Sequence, residues 1–411
     1  MMLFARFVSM PTNIDGSVGL GVNETEMFNQ LCPDGRMTLG RLYTVYGRWL
    51  KFKDTDRIDV VLAVALTRKS KGSPIWLIII APSGDCKSEQ IIAVYDPFNT
   101  KILHEITARS LVAGSRMIPD LAPELNGKIV LLPDMAQLLK LHPNEKAMVW
   151  AQLRELYDGR AGRRTAMKED PNYSNIRVTL IAGSTPSIDA QILVHQDLGT
   201  RELIYRVDEG STLDIKDKVW NNEGCEEQMR RELNKFTLKF LEQHEIREDI
   251  EISEEIKEKI YNLVEYLRQM RAVAESDSYT GELLNIVYPE SPTRCLKQLK
   301  ILFKALKSLD DNYTDEKALE IVRHVVFSSI LPIRQGIFDL LKKKNPLSTN
   351  EIVKNMRIGV KTAIKELAIL WNLKILERED IEEMNSYGKT FITRTDWTLA
   401  KNKIVETLVK I

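Results

Sequence analysis

The first 35 or so residues show no usable period. They are rich in Gly, Asn, Thr and Pro and are expected to be irregular. From Leu39 onward, apolar residues recur at three- and four-residue spacing, through LGRLYTVYGRWLKF and again through RIDVVLAVALTRKS. That spacing predicts two helices. Gly72 to Pro74 ends the period, and the run IWLIII follows. It is too short for a helix and rich in β-branched residues, so it predicts a buried strand. Three comparable runs lie downstream: KIVLL (Lys128 to Leu132), RVTLIAG (Arg177 to Gly183) and ELIYRV (Glu202 to Val207). Helical stretches separate them, most clearly NEKAMVWAQLRELYDG (Asn144 to Gly159). Strands alternating with helices predict an α/β fold with a parallel sheet covered on both faces.

Past about residue 215 the strand pattern stops. Residues 225 to 325 are charged and helix-periodic, which reads as solvated helix faces and carries no further assignment. From Leu331 the texture changes again. LPIRQGIFDLLKKKNP predicts one helix, and LSTNEIVKNM a second, with Ser348 and Glu351 spaced as a capping box. A short RIG turn leads into VKTAIKELAILWNL, and KILERED and KTFITRT read as two short strands around NSYG. This order resembles a winged helix. The second helix of such a turn lies in the DNA major groove and the wing against the backbone. Lys361 and Lys365 share one helical face, and Lys389 and Arg394 fall in the wing, so these four are the candidate DNA contacts. Residues 331 to 411 hold 15 Lys/Arg against 10 Asp/Glu, which suits phosphate contacts more than base reading. A winged helix used for protein contacts is the alternative. Leu370 and Trp371 read as core.

Composition narrows the picture in three ways. A chain of 411 residues exceeds what one core usually holds, which implies two or three domains. Its net charge is zero, so nucleic-acid binding would have to come from local patches. The cysteines, Cys32, Cys86, Cys225 and Cys295, are far apart and form no CxxC pair. A zinc site or disulfide framework is therefore not expected, and a reducing cytoplasm is. The apolar first ten residues carry Arg6 and lack a signal-peptide pattern, and the longest apolar run, Ile75 to Ala81, is too short to span a bilayer, so no membrane partner is expected.

The candidate chemistry begins where the first strand ends, in IIIAPSGDCKSEQII (Ile78 to Ile92). A phosphate-binding loop follows a buried strand, turns tightly and opens a helix. Its backbone N–H groups face the phosphates, a lysine reaches the β- and γ-phosphates, and a hydroxyl holds Mg²⁺. The consensus G-x-x-x-x-G-K-[ST] falls on Ala81, Cys86, Lys87 and Ser88, with both glycines replaced. Gly84 remains to supply an unusual backbone conformation, while Cys86 adds a side chain where backbone approaches phosphate, which predicts weaker binding. Ser83, Gly84, Asp85, Cys86, Lys87, Ser88 and Glu89 are the residues expected against ATP. A strand–turn–helix with a chance Lys-Ser pair is the competing explanation.

Two further strand ends add to this loop. KIVLLPD supplies Asp134, a carboxylate that could hold Mg²⁺ together with Ser88, about fifty residues past Lys87. The next residue is Met135, where a second acid would orient the attacking water, so hydrolysis is less supported than binding. LIAGSTPSID ends a third strand in Ser184 and Thr185, and Arg201 precedes the last strand.

The order PIWLIIIAPSGDCKSE, ITARSLVAG, GKIVLLPDMAQLL, AQLRELYDG, RVTLIAGSTPSID, LGTRELIYR and SPTRCLKQL resembles a poorly characterised group of AAA+ ATPases from mobile elements and prokaryotic genomes. More distantly it resembles the minichromosome-maintenance helicases. The resemblance covers roughly residues 40 to 345. It implies that Lys87 and Ser88 are the Walker A pair, Asp134 the Walker B acid and Thr185 the sensor 1 residue. It further implies that Arg201 is an arginine finger acting across a ring interface and Arg294, in SPTR, a sensor 2 arginine. ATP, Mg²⁺, DNA and further copies of the same chain are the implied cofactors and partners. Ala81, Cys86, Pro133 and Met135 depart from the pattern and leave a degenerate, non-hydrolysing regulator as the alternative. The expected organisation is a lead (1–56), an AAA+ core (57–215), a helical lid (216–330) and a winged helix (331–411).

Overall fold

The structure is a computed structural model. It describes residues 22–107, 109–113, 119–162, 172–190, 200–207, 216, 218, 220, 222–274, 277, 283–384 and 390–410. Its centre is a parallel sheet of five strands: β1 (Trp76–Ile80), β2 (Thr100–Ile102), β3 (Lys128–Leu132), β6 (Val178–Ser184) and β7 (Leu203–Arg206). Their spatial order is β2-β3-β6-β1-β7. The register sets Trp76 beside Leu180, Leu77 beside Leu203 and Val130 beside Leu180. β4 (Arg160–Gly162) and β5 (Asn172–Ser174) form a separate antiparallel pair.

Both faces of the sheet are buried, as its unbroken apolar runs require. Alternate residues divide between two cores. Leu77, Ile79, Ile129, Leu131, Ile181, Leu203 and Tyr205 face one. Trp76, Ile78, Ile80, Val130, Leu132, Leu180 and Ile204 face the other. The second core is closed by α6 (Pro143–Tyr157). The first is closed by α2 (Leu39–Trp49), by α3 (Asp56–Leu66) and by the later helices. Those are α7 (Glu226–Gln243), α8 (Glu254–Met270), α9 (Pro292–Lys307) and α10 (Asp315–Ser328). α3 is buried from Arg57 to Leu66. The short helices α4 (Lys87–Ile92) and α5 (Ala136–Lys140) follow β1 and β3 directly.

Two local expectations change. The segment expected to be irregular contains helix α1 (Val22–Leu31). Tertiary contacts hold it: Phe28 stacks on Phe236 at 6.4 Å, and the buried Glu24 takes Lys235 Nζ at 2.7 Å. Strand β2 was not expected, because three residues carry too little pattern.

The C-terminal part runs α11 (Pro332–Lys343), β8 (Leu347–Ser348), α12 (Thr349–Met356), α13 (Val360–Asn372), β9 (Leu376–Met384), β10 (Thr390–Leu399) and α14 (Lys403–Lys410). Ser348 and Glu351 form the capping box that their spacing predicted. The hairpin strands are longer than expected, and β10 also pairs with β8. A buried arginine of this part, held by an ion pair within it, reaches the end of α8. Arg334, fully buried, meets Glu366 at 2.7 Å and donates to the carbonyls of Met270 and Ala272 at 2.7 Å each. Those carbonyls end α8 and would otherwise lack partners in the interior.

Candidate functional site

The turn after β1 is bent by two left-handed residues, Gly84 (φ +85°) and Cys86 (φ +55°). Glycine adopts that conformation freely; cysteine does so at a cost, which is where the missing consensus glycine shows itself. Cys86 is exposed, and its thiol is pushed above the ordinary range by desolvation, with Glu89 and Asp85 adding to the effect. α4 begins at Lys87 with no side-chain cap on its first turn. Lys87 is only 7% exposed, and its Nζ donates to the Pro82 carbonyl at 3.2 Å. The ammonium therefore folds back over its own loop and does not extend into bulk water.

Ser88 ties this loop to the neighbouring strand end. Its hydroxyl donates to the Pro133 carbonyl at 3.2 Å, immediately before Asp134. Asp134 is exposed, and its Oδ1 accepts the Ala136 N–H at 2.9 Å, a local turn just before α5. The close approach depends on Gly183 in β6. A Cβ there would lie 2.5 Å from the Pro133 carbonyl oxygen and 3.0 Å from Ile91. Met135 N–H donates to the Gly183 carbonyl at 2.9 Å, locking the two strand ends together. Thr185 follows β6 and shares a 2.7 Å hydrogen bond with Ser187. Lys87, Ser88, Asp134 and Thr185 thus sit at the carboxyl ends of adjacent strands, where open parallel sheets bind ligands.

The two arginines lie at the other end. Leu203 pairs with Leu77, so Arg201 is level with the start of β1, while Lys87 follows its end. Five strand residues separate these levels, about 16 Å at the usual rise. Arg201 pairs with Asp158 at 2.9 Å and its side chain is 14% exposed. Gln298 donates to the Arg201 carbonyl at 2.6 Å and to the Tyr157 hydroxyl at 3.0 Å. Arg294, one turn earlier on α9, pairs with Glu290 at 2.8 Å. Within one chain, Arg201 and Arg294 are grouped together and away from Lys87.

Among the described residues, no group of three or more His, Cys, Asp or Glu side chains is arranged to hold a metal ion. The Ser88 hydroxyl and the Asp134 carboxylate are the oxygen donors at this site. A hard cation that keeps most of its water needs few protein ligands when phosphate supplies the rest. No protein-family model matches the chain, and no curated protein matches it.

Three site residues escaped the sequence reading. Arg57 is 4% exposed and reaches from α3 to Asp85 Oδ2 at 2.8 Å. Gln90, fully buried, accepts from Arg57 Nε at 3.0 Å and donates back to the Arg57 carbonyl. Arg230 of α7 grips Glu89 with two 2.8 Å hydrogen bonds. Three charges, Asp56, Arg57 and Asp59, at the head of an otherwise apolar helix were the signal for Arg57, because buried charges need partners. A cleft of about 130 Å³ lined by Ala65, Val94, Asp96 and His244 opens at the far end of α3 and holds none of these groups.

In the C-terminal part, Lys361 is exposed and Lys365 half-buried on α13. The same helix exposes Val360, Ile364 and Trp371, so Trp371 is not core. Leu370 is buried, as expected. Arg394 pairs with Asp396 at 2.6 Å and faces Glu351 at 3.8 Å. Lys389 lies outside the described residues. β9 exposes Glu377, Glu379, Asp380, Glu382 and Glu383, so the hairpin carries an acidic strand. No described helix is long and apolar enough to cross a membrane.

Proposed function

We propose that the chain is a nucleotide-dependent, DNA-associated protein built on an AAA+ P-loop core, which binds MgATP at the carboxyl end of β1. The observation that carries this reading is the 3.2 Å contact between Ser88 and Pro133. It brings a strand–loop–helix bearing Lys87 against a second strand end bearing Asp134, the pair of elements that MgATP binding uses. Lys87 would exchange the Pro82 carbonyl for β- and γ-phosphate oxygens. Ser88 and Asp134 would hold Mg²⁺, which on binding would screen the phosphate charge. Thr185 would face the γ-phosphate from the end of β6.

Arg201 and Arg294 fit this scheme only on the nucleotide of a second copy, given their distance from Lys87 in the same chain. That supports a ring or other homo-oligomer, with the Arg201–Asp158 pair opening on assembly. The C-terminal part is read as a winged helix whose α13 approaches DNA. Lys361 and Lys365, preceded by Lys354 and Arg357, would meet phosphates. The acidic β9 would stay off the backbone, which leaves the wing a smaller role than the helix.

Lys87→Ala is expected to weaken binding of a fluorescent ATP analogue by about a hundredfold in the presence of Mg²⁺. Unchanged affinity in that variant would refute the site. A second reading, a regulator that binds nucleotide without turning it over, is favoured by one observation. Met135, where the second acid would stand, is 2% exposed and packed in the core. Steady-state ATP turnover with and without DNA separates the two. Titration with labelled DNA at two salt concentrations tests the phosphate contacts, which weaken steeply with salt.

A further inference from the structure

The phosphate loop contains an acid. Asp85 lies between the two left-handed residues, Gly84 and Cys86, one residue from the turn's tightest point and two from Lys87. In the nucleotide reading this turn lies against a triphosphate, and a carboxylate on it would repel like charge at short range. The loop resolves this with a buried cation. Arg57 Nη1 meets Asp85 Oδ2 at 2.8 Å, and Nη2 donates to the Asp85 backbone carbonyl at 3.2 Å. Nε reaches Gln90 of α4 at 3.0 Å, and the guanidinium lies 4.2 Å over the ring of Phe52. The cation is therefore fixed from three sides, on a helix that is buried along its length.

We propose that Arg57 is a positioning residue whose charge neutralises Asp85, so that the loop accepts a polyphosphate despite carrying an acid. It works through Asp85 and does not touch the nucleotide. The proposal rests on the nucleotide reading above. It makes the loop's affinity depend on an ion pair made from outside the loop. The pair is stronger than an exposed one because Arg57 is buried and donates to both the side chain and the backbone of Asp85.

The test is a titration of four proteins with a fluorescent ATP analogue and Mg²⁺: wild type, Arg57→Ala, Asp85→Asn and the double variant. Arg57→Ala is expected to bind about tenfold more weakly or worse, because the acid is left uncompensated. Removing the acid in that background is expected to restore affinity to within about threefold of wild type. Asp85→Asn alone leaves the cation in place and is expected to bind at least as tightly as wild type, with a steeper loss on adding salt. A purely structural clamp predicts the reverse: no rescue in the double variant and weaker binding in Asp85→Asn. Either result overturns the proposal. The Asp85 side chain is half-buried and Asn keeps its shape, so Asp85→Asn tests the matter even if Arg57→Ala fails to fold. A wild type that binds no nucleotide refutes the nucleotide reading and this inference with it. Normal binding by wild type and all variants refutes this inference alone.

Discussion

The two ends of the parallel sheet both carry polar groups and use them differently. At the amino end, Arg201 is paired with Asp158, Arg294 with Glu290, and Arg271 donates to the Glu202 carbonyl at 2.6 Å. The Arg201 and Arg271 contacts link the ends of α6 and α8 to the start of β7, so they hold elements together, while the Arg294 pair stays at the head of α9. At the carboxyl end, Ser88 and Met135 tie strand ends together, but the contacts of the other candidate ligand groups are local. Lys87 bonds a carbonyl five residues away, Asp134 an N–H two residues away, and Thr185 a hydroxyl two residues away. Local contacts of this kind can be exchanged for a ligand without opening the core. The polar groups therefore sit in different settings at the two ends: within one chain the arginines are tied into ion pairs, and the lysine and the aspartate bond backbone groups of their own loops.

The sharpest way to break this comparison is Arg271→Ala. Arg271 is 4% exposed, donates to the Glu202 carbonyl and lies 3.8 Å from Glu290, so its removal strands that carbonyl and leaves the Glu290 carboxylate to Arg294. A loss of about 3 kcal/mol in denaturant unfolding is expected, with nucleotide affinity unchanged. A large fall in affinity without loss of stability would reverse the roles assigned to the two ends.

The next effect is a pH dependence beside the loop. Asp59, two residues after Arg57, is buried between the hydroxyls of Tyr43 and Tyr313. Burial pushes its pKa up to about 6, and Asp56 adds to this, against the two hydroxyls and Lys317. The folded pKa lies above the unfolded one, so the folded state binds the proton more tightly. Stability from this group rises as pH falls from about 6 to about 4, by on the order of 3 kcal/mol, and the cost is complete above pH 6. Asp59→Asn is expected to remove that slope relative to wild type in unfolding experiments across the range. An unchanged slope would show that Asp59 does not titrate there.

The smallest effect on stability belongs to Asp134→Asn. The amide oxygen can still accept the Ala136 N–H, so unfolding is expected to change by about 0.5 kcal/mol or less. The Mg²⁺-dependent part of nucleotide affinity is expected to disappear. Asp134→Asn with a large stability loss would place Asp134 among the structural groups of the other end.

Much of this arrangement was legible before the fold was known. The strands at Trp76, Lys128, Val178 and Leu203 announce themselves, because a strand buried on both faces must be an unbroken apolar run. The capping box at Ser348 is equally local, since it needs only three-residue spacing. The strand–turn–helix around Lys87 was visible for the same reason, as its three parts are consecutive. Helix α1 and strand β2 were not visible. α1 is held by α7, some two hundred residues later, and β2 by pairing with β3. Nor could Trp371 be told from a core residue, since apolar spacing on a helix does not say which face another element covers.

What the amino-acid sequence determined by itself is most of the strands and helices and the strand–turn–helix around Lys87, because hydrophobic period and turn chemistry act between near neighbours. The tertiary structure alone decided the partners. It set Arg57 against Asp85, brought Ser88 to the strand end before Asp134, and gathered Arg201 with Arg294 away from Lys87. Charge pairing depends on distance in space, and the order of strands β2-β3-β6-β1-β7 sets those distances in a way that no local window contains.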